Sequence, residues 1–449
     1  MKVDIVVAGG GIAGAMAAVA AGRTGKKVLL IEETACLGGM LTSAGVGPMM
    51  TFHSGDRQMI GGLTAELIER LKTKGGSVGH IVDTIGYTST LTPFDAEAMK
   101  LELDLMCEEA GVTILFHSRV IAAKIAGDRI SSVTVSTPGG VIEIAGEAFI
   151  DATGDADLAV MSGVPTDKGR PEDGKMQPLT MNLKVYNVDI PKIRAYIKSH
   201  PEEFPMQQDK VELLDLSPRL AVAGFVPAIR QAIADGRLSF KRECLLFFET
   251  VNPGEVIINT SRLIGVDPTD PVALSEAERT GRKQAAELMK FLRESIPGFE
   301  QAVLAFSGPR IGVRSSLQIK GLATLKVSDI VNAVKYPDAV VCYSYPIDIH
   351  SPSGKLEENY SYHLKPGEYY TIPYGALLNA KIANLAVAGR SISSEFGAQA
   401  AFRTTPCVGA IGQAAGAAAA LALEKGGDFA KVEYPKLKKI LLEQDAYLF

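Results

Sequence analysis

Lys2-Val3-Asp4-Ile5-Val6-Val7-Ala8-Gly9-Gly10-Gly11-Ile12-Ala13-Gly14 runs into an alanine-rich stretch ending near Gly22, and Lys27-Val28-Leu29-Leu30-Ile31-Glu32 follows. The order is strand, glycine turn, helix, strand, acid. Glycines keep such a turn tight and let the backbone approach a pyrophosphate, whose charge then sits at the N-terminus of the helix starting near Ile12. An acid about 20 residues further on, here Glu32, accepts hydrogen bonds from a ribose. A lone GxGxxG says little; the flanking strands and the spaced acid make this a dinucleotide-binding βαβ unit.

Working outward, Glu33-Thr34-Ala35-Cys36-Leu37-Gly38-Gly39-Met40-Leu41-Thr42 places a second glycine pair just after the acid. From Val112 to Gly154, apolar or alternating pieces (Thr113 to Phe116, Arg119 to Ile125, Ile130 to Val135, Val141 to Ile144) are separated by turns at Gly127-Asp128 and Pro138-Gly139-Gly140. They lead into Ala148-Phe149-Ile150-Asp151-Ala152-Thr153-Gly154-Asp155, a buried strand breaking at a glycine turn. Near the C-terminus, Asn384 to Ser391 with Gly389-Arg390 forms a short strand and turn. Arg403-Thr404-Thr405-Pro406-Cys407-Val408-Gly409 then opens a helix of small residues. Proline suits a helix's first turn, and small side chains allow close approach by a ligand or another backbone.

These stretches resemble the glutathione-reductase-like flavoproteins, whose ribose acid is followed by a Gly-Gly loop touching the FAD pyrophosphate. Gly9 to Gly39, Asp95 to Asp157, Arg310 to Gly321 and Tyr369 to Gly416, roughly half of the chain, are similar to the large bacterial and archaeal group named only as FAD-dependent oxidoreductases. The resemblance implies FAD as cofactor. It implies contacts from Gly9, Gly11, Ile12, Ala13, Gly14, Glu32, Glu33, Gly38, Gly39, Met40 and Thr42, from Val120 through its backbone at the adenine, and from Ala152, Thr153 and Gly154. At the flavin end it implies Gly389, Arg390, Cys407, Val408 and Gly409, with the last helix aimed at the pyrimidine edge, where its dipole stabilises negative charge on the reduced ring. The chain departs from the wider pattern at Gly389-Arg390, where many relatives carry an acid, and at Ser315-Ser316-Leu317, where the group has Glu-Ser-Arg.

With 449 residues, 47% hydrophobic, the chain is long and apolar enough for a large core and two domains. The expected fold class is α/β: a Rossmann-like FAD domain, a parallel sheet plus β-meander, with an inserted α+β substrate or cap domain. Since the FAD motifs lie at both ends, the FAD domain comprises 1–50, 93–162 and 369–449, and the insertions 51–92 and 163–368. Within these, helices are expected from Gly61-Gly62-Leu63 to Leu71 and after Asp95, the latter with Leu101, Leu105 and Met106 on one face and Gly111 as its stop. In the large insertion, strand-like pieces (Leu179 to Tyr186, Cys244 to Glu249, Ala339 to Tyr343) alternate with helices (Pro191 to Ile197, Pro271 to Ile296).

A net charge of -5 without long runs offers no basic stripe for nucleic acid and no polybasic segment for a membrane. The apolar run Val408 to Leu423 is broken by Gln413 and glycines, so a soluble cytoplasmic protein acting on a small molecule is expected. The five cysteines are scattered and form no CxxC, which removes disulfide-reductase chemistry and cluster ligation within the chain. Cys407, in a helix's first turn, is either a thiol of lowered pKa or a buried filler. Cys36 and Cys407 are the two candidates for a covalent flavin tether. No metal site is expected, and HExxH, zinc-spaced clusters and GxSxG are absent.

Flavin chemistry asks the protein for a bound substrate and a proton carrier. Ser344-Tyr345-Pro346-Ile347-Asp348-Ile349-His350 resembles an Asp-Ile-His segment of the group and makes His350 the first acid or base candidate. Arg403, three residues before Pro406, can clamp an anion, contact the flavin or pair with Glu395. Arg314, in Ile311-Gly312-Val313-Arg314, resembles the group's Gly-Val-Arg segment. His53-Ser54-Gly55-Asp56-Arg57 reads as a lid or a substrate contact. Hydride exchange between flavin N5 and a small organic molecule is the leading expectation. An O₂-using oxidase or monooxygenase, and a flavoprotein subunit working with a redox partner protein, are the alternatives. No second GxGxxG unit followed by an acid signals a nicotinamide domain, and the sequence leaves oligomeric state open.

Overall fold

The computed structural model describes residues 1–449. Ile5–Ala8 is the middle of a five-stranded sheet ordered Leu385–Val387, Ala148–Asp151, Ile5–Ala8, Val28–Ile31, Thr113–Leu115, every pair parallel. The inner strands are buried throughout, as parallel strands covered on both faces must be. Side chains alternate between faces along a strand, and the two cores divide accordingly. Ile5, Val7, Val28, Leu30, Ala148 and Ile150 join the core under the helices. Val6, Ala8, Leu29, Ile31 and Phe149 join the one under the antiparallel meander Arg119–Ala126, Arg129–Thr137, Gly140–Ala145. The fold is thus the expected α/β architecture of parallel sheet plus meander.

On the helical face, Ile12–Gly22 and Thr405–Leu423 pack backbone to backbone. A Cβ on Gly412 would lie 2.0 Å from Ala13 O, and one on Gly416 2.1 Å from Ala17 O, so only glycine permits this approach. Thr405–Leu423 is long and apolar enough to cross a membrane, yet it is buried here as the central core helix. Asp95 caps Ala96–Glu109 by accepting from Ala98 N, and Gly111, at φ +69, ends it. The buried face of this helix is Met99, Leu103 and Met106. Leu101 is exposed, because 3.6-residue periodicity carries it off the stripe that Met99 and Leu103 define. The helix Phe396–Phe402, unforeseen in the sequence, lies between the last sheet strand and Thr405–Leu423.

A second sheet is wholly antiparallel, in the order Ala221–Gly224, Leu245–Glu249, Val256–Ile258, Leu183–Tyr186, Val303–Ser307. The helices Ile190–Ser199, Val226–Ala234 and Pro271–Ser295 cover it and share its separate core. Ala339–Tyr343 pairs with Tyr370–Pro373 instead, and Val340, Val341 and Tyr343 belong to the large core of the first sheet.

Candidate active site

The two glycine loops meet at the C-terminal edge of the parallel sheet. Gly38 N donates to Gly10 O at 2.9 Å, and a Cβ on Gly39 would stand 2.9 Å from Gly11 Cα. A Cβ on Gly11 would meet nothing within 4 Å, so the turn opens on free space where helix Ile12–Gly22 begins. Gly9, at φ +95, packs onto Ala152 O and Thr153, and Gly14 onto Gly9 O, which draws the Ala152-Thr153-Gly154 turn to the same place.

Glu32 is buried. Its Oε1 accepts from Thr34 N (2.8 Å) and Thr34 Oγ1 (2.7 Å), and its Oε2 from Gly10 N (2.6 Å). A carboxylate has about four acceptor positions, so Oε2 keeps room for a ribose hydroxyl. Ser118 N donates to Glu32 O, which brings the start of the meander and the main chain of Val120 beside the acid, while the Val120 side chain is in the core. Glu33 instead pairs with Arg310 and, at 3.7 Å, with Arg119. Thr42 turns its hydroxyl onto Leu37 O. An open glycine cradle at a helix N-terminus beside a carboxylate with a spare lone pair fits the pyrophosphate and ribose of FAD.

Further along, Gly389 has φ +90, and Arg390 pairs with Asp155 at 2.8 Å, its guanidinium against Gly154. Thr404 precedes helix Thr405–Leu423 without capping it; its hydroxyl shares a hydrogen bond with Tyr343 Oη. The side chain of Cys407 is fully buried, and burial followed by the neighbouring Cys342 pushes its thiol far above the usual range. A reactive first-turn thiol is therefore not present, since desolvation outweighs the helix dipole. Gly409 packs against Thr64, and Val408 is buried.

A cavity of about 470 Å³ extends from this helix end to the antiparallel sheet. Met40, Gly47 and Pro48 line it from the second glycine loop, Thr404 and Thr405 from the helix, and Arg314, Asp348, His350, Arg390 and Arg403 from the loops between. A larger depression of about 840 Å³ lies between Phe240, helix Pro271–Ser295 and the Ser353–Glu357 loop, but no motif residue reaches it. The motif residues line the smaller cavity.

Asp348 lies in strand Ile347–Ile349, and His350 follows directly after its end. His350 Nε2 is 3.5 Å from Asp348 Oδ2, Arg403 Nη2 is 3.6 Å from the same oxygen, and Tyr345 Oη donates to it at 3.3 Å. Burial raises the Asp348 carboxyl, but the Arg403 and Arg314 guanidiniums and the hydrogen bond from Tyr345 outweigh it and hold Asp348 below its ordinary value. His350 is pushed well down by burial, against Asp348 and with Arg314, Arg242 and Arg403, so its imidazole is neutral at pH 7. Arg314 donates through Nη1 to Pro178 O and Thr180 Oγ1, both at 2.6 Å. Burial, then Arg403 and Arg242, pull it down to about 9.

The three candidates His350, Arg403 and Arg314 thus share one cavity. Arg403 faces Asp348, whereas Glu395 accepts from Val327 N. The His53 segment forms the hairpin His53–Ser54/Arg57–Gln58, pinned by Ser54 Oγ to Glu368 O and Gly55 N to Ser89 Oγ, and none of its residues lines the cavity. Sequence reasoning missed Asp348, Tyr345, Tyr87, Arg242 and the buried Gln177 and Gln399, which orient His350 N and Arg314 O. The two-residue spacing of Asp348 and His350 was a legible signal for Asp348; Arg242 had none, because only tertiary packing brings it in.

A parallel sheet with a glycine cradle at its carboxyl edge and a cavity of titrating groups beside it defines a flavin-binding Rossmann-type enzyme. A family model described as FAD dependent oxidoreductase matches residues 4–441. The chain belongs to the FAD-dependent oxidoreductase family, and is an enzyme with FAD as its cofactor. No curated protein matches its sequence. Among solved structures, a geranylgeranyl bacteriochlorophyll reductase-like protein from Thermoplasma acidophilum is similar in fold, with TM-score 0.51 and 12% identity over 99% of this chain and 84% of that one. An L-proline dehydrogenase from P. horikoshii gives 0.44 and 13%, covering 99% and 98%. A p-nitrophenol 4-monooxygenase from Pseudomonas putida DLL-E4 gives 0.45 and 11%, covering 99% and 85%.

Proposed function

We propose that the protein exchanges a hydride between flavin N5 and a small organic substrate held in the 470 Å³ cavity, with His350 carrying the accompanying proton. One observation carries this reading: a neutral imidazole, oriented by Asp348 and ringed by Arg314 and Arg403, faces a cavity that also reaches the end of the small-residue helix. The glycine cradle, Glu32 and the backbone of the first turn at Cys407-Val408-Gly409 would hold FAD, which would supply the two-electron acceptor or donor. In dehydrogenation, a substrate C–H bond gives up its electron pair with the hydrogen, and His350 takes the proton from the neighbouring O–H or N–H on Nδ1, the ring nitrogen that does not face Asp348; double-bond reduction reverses both transfers. The imidazolium so formed is stabilised by Asp348. Arg403 orients the substrate and offsets the Asp348 charge between turnovers. The antiparallel sheet and its helices, within 163–368, serve as the substrate-bearing part over a cofactor part made of 1–50, 93–162 and 369–449, whose core also takes in Leu63 to Leu71 and Val340 to Tyr343.

Absorbance of the purified protein, before and after acid precipitation, followed by anaerobic mixing with alcohols, amines, acids and enoates, tests the reading. Flavin bands that bleach with one of these classes support it. A flavin that none of them reduces, and that reduced substrates' products do not re-oxidise, counts against it. Reoxidation by O₂ alone at rates matching turnover would mark an oxidase, and turnover only with a copurifying protein would mark a subunit.

A further inference from the structure

The cavity holds more positive charge than its own carboxylates neutralise. Arg390 is matched by Asp155 and Arg403 by Asp348. Glu243 is used by Arg262 at 3.4 Å and by the Asn359 amide. Arg242 and Arg314 remain, and neither has a carboxylate within 4.0 Å.

Arg242 is the more telling of the two. It is only 8% exposed, its Nε is buried with no partner, and its one hydrogen bond is a long 3.4 Å contact from Nη2 to Asn259 O. An uncompensated buried guanidinium is strongly unfavourable unless an anion completes it. Arg242 sits just before strand Leu245–Glu249 of the antiparallel sheet, on the cavity wall with Ala223, Leu246 and Phe248, while the phosphate-binding turns lie at the edge of the other sheet. Arg314 reaches the same cavity from the Gly312-Val313-Arg314 segment, fixed by Pro178 and Thr180, and its guanidinium feels Arg242 as a like charge. The apolar remainder, Ile85, Leu246, Phe248 and Met206, suits a carbon skeleton.

We infer that the substrate is a carboxylic acid whose carboxylate is clamped by Arg242 and Arg314, its carbon chain running along the Leu246-Phe248 wall. This rests on the hydride-exchange reading for its setting, and adds the substrate class. Guanidinium forks match carboxylate geometry and are weakly hydrated, so they suit this burial better than lysine. Arg242 is here a binding residue, distinct from the proton-carrying His350.

The test is a flavin difference-absorbance titration of the FAD-loaded protein with acetate, succinate and benzoate, with succinamide as neutral control and inorganic phosphate as a non-carboxylate anion. At least one carboxylate is expected to perturb the flavin bands saturably, with succinamide and phosphate much weaker. In Arg242→Gln the apparent dissociation constant rises by roughly tenfold or more, with FAD content unchanged; Arg242→Lys recovers part of the loss. Silence from all three carboxylates, equal binding of succinamide or phosphate, or wild-type affinity in Arg242→Gln overturns the inference. FAD loss from both Arg242 variants also overturns it, since Arg242 would then serve the cofactor. Carboxylate binding without anaerobic bleaching sinks only the hydride reading; bleaching by a neutral compound with no carboxylate bound sinks only this one.

Discussion

The surroundings of His350 keep it uncharged while Asp348, two residues away, stays ionised, which is what the proposed proton transfer needs. Two groups two residues apart are driven to opposite protonation preferences by burial and by the guanidiniums around them. His350→Gln keeps the shape and removes the proton carrier, so substrate-driven flavin reduction in stopped flow should slow by roughly 10²- to 10⁴-fold with FAD content intact; an unchanged rate would remove His350 from the chemistry. A second histidine answers to the same physics without touching the cavity. Burial, then His53 and Lys72, lower His80 from 6.5 to about 4, and its Nδ1 meets Thr92 Oγ1 at 2.8 Å beside the Phe52 ring. A depressed folded pKa means the unfolded chain binds the proton first as pH falls. The stability from neutral His80 is complete above about 6.5 and is lost progressively towards about 4. Denaturant midpoints measured between these pH values should fall with pH, and His80→Gln should flatten the slope.

At the scale of elements, the contact between Ile12–Gly22 and Thr405–Leu423 fixes where the cofactor's helix begins. The two backbones touch at Gly412 and Gly416, so any added side chain must push the helices apart. Gly412→Val should cost about 1–3 kcal/mol from overpacking and also weaken FAD retention, seen as a lower melting temperature and a lower flavin-to-protein absorbance ratio. Gly416→Val, one turn deeper, should cost similar stability with less effect on the flavin. Equal flavin loss in both would show that the cradle does not depend on this alignment. Small residues were legible as a sign of close packing; which helix they pack against was not. The same limit explains Leu101: a hydrophobic residue at helical spacing is legible, but its facing depends on which stripe the neighbouring helices choose to cover.

For the molecule as a whole, the FAD cradle is assembled from segments far apart in sequence: Gly9 to Gly14, Glu32 to Thr42, Ala152 to Gly154 and Gly389 onward. A ligand that binds only the folded arrangement stabilises it by mass action, about 2.7 kcal/mol at a concentration one hundred times its dissociation constant. Stripped protein should therefore melt lower than the holoprotein and recover as FAD is added back, in a concentration-dependent way; a melting temperature indifferent to FAD would contradict the cradle. The sequence alone determined the parallel sheet, the meander, the glycine turns and the acid, because each is written in local periodicity and in the special conformations of glycine, which need no partner to be read. It also pointed to His350, Arg403 and Arg314 one by one. Only the tertiary structure decided that these three share a cavity, that Asp348 and Arg242 join them, that Cys407 is a buried filler, and that two guanidiniums are left without a counter-charge. Burial and charge balance are properties of the surroundings, and the surroundings come from residues hundreds of positions away.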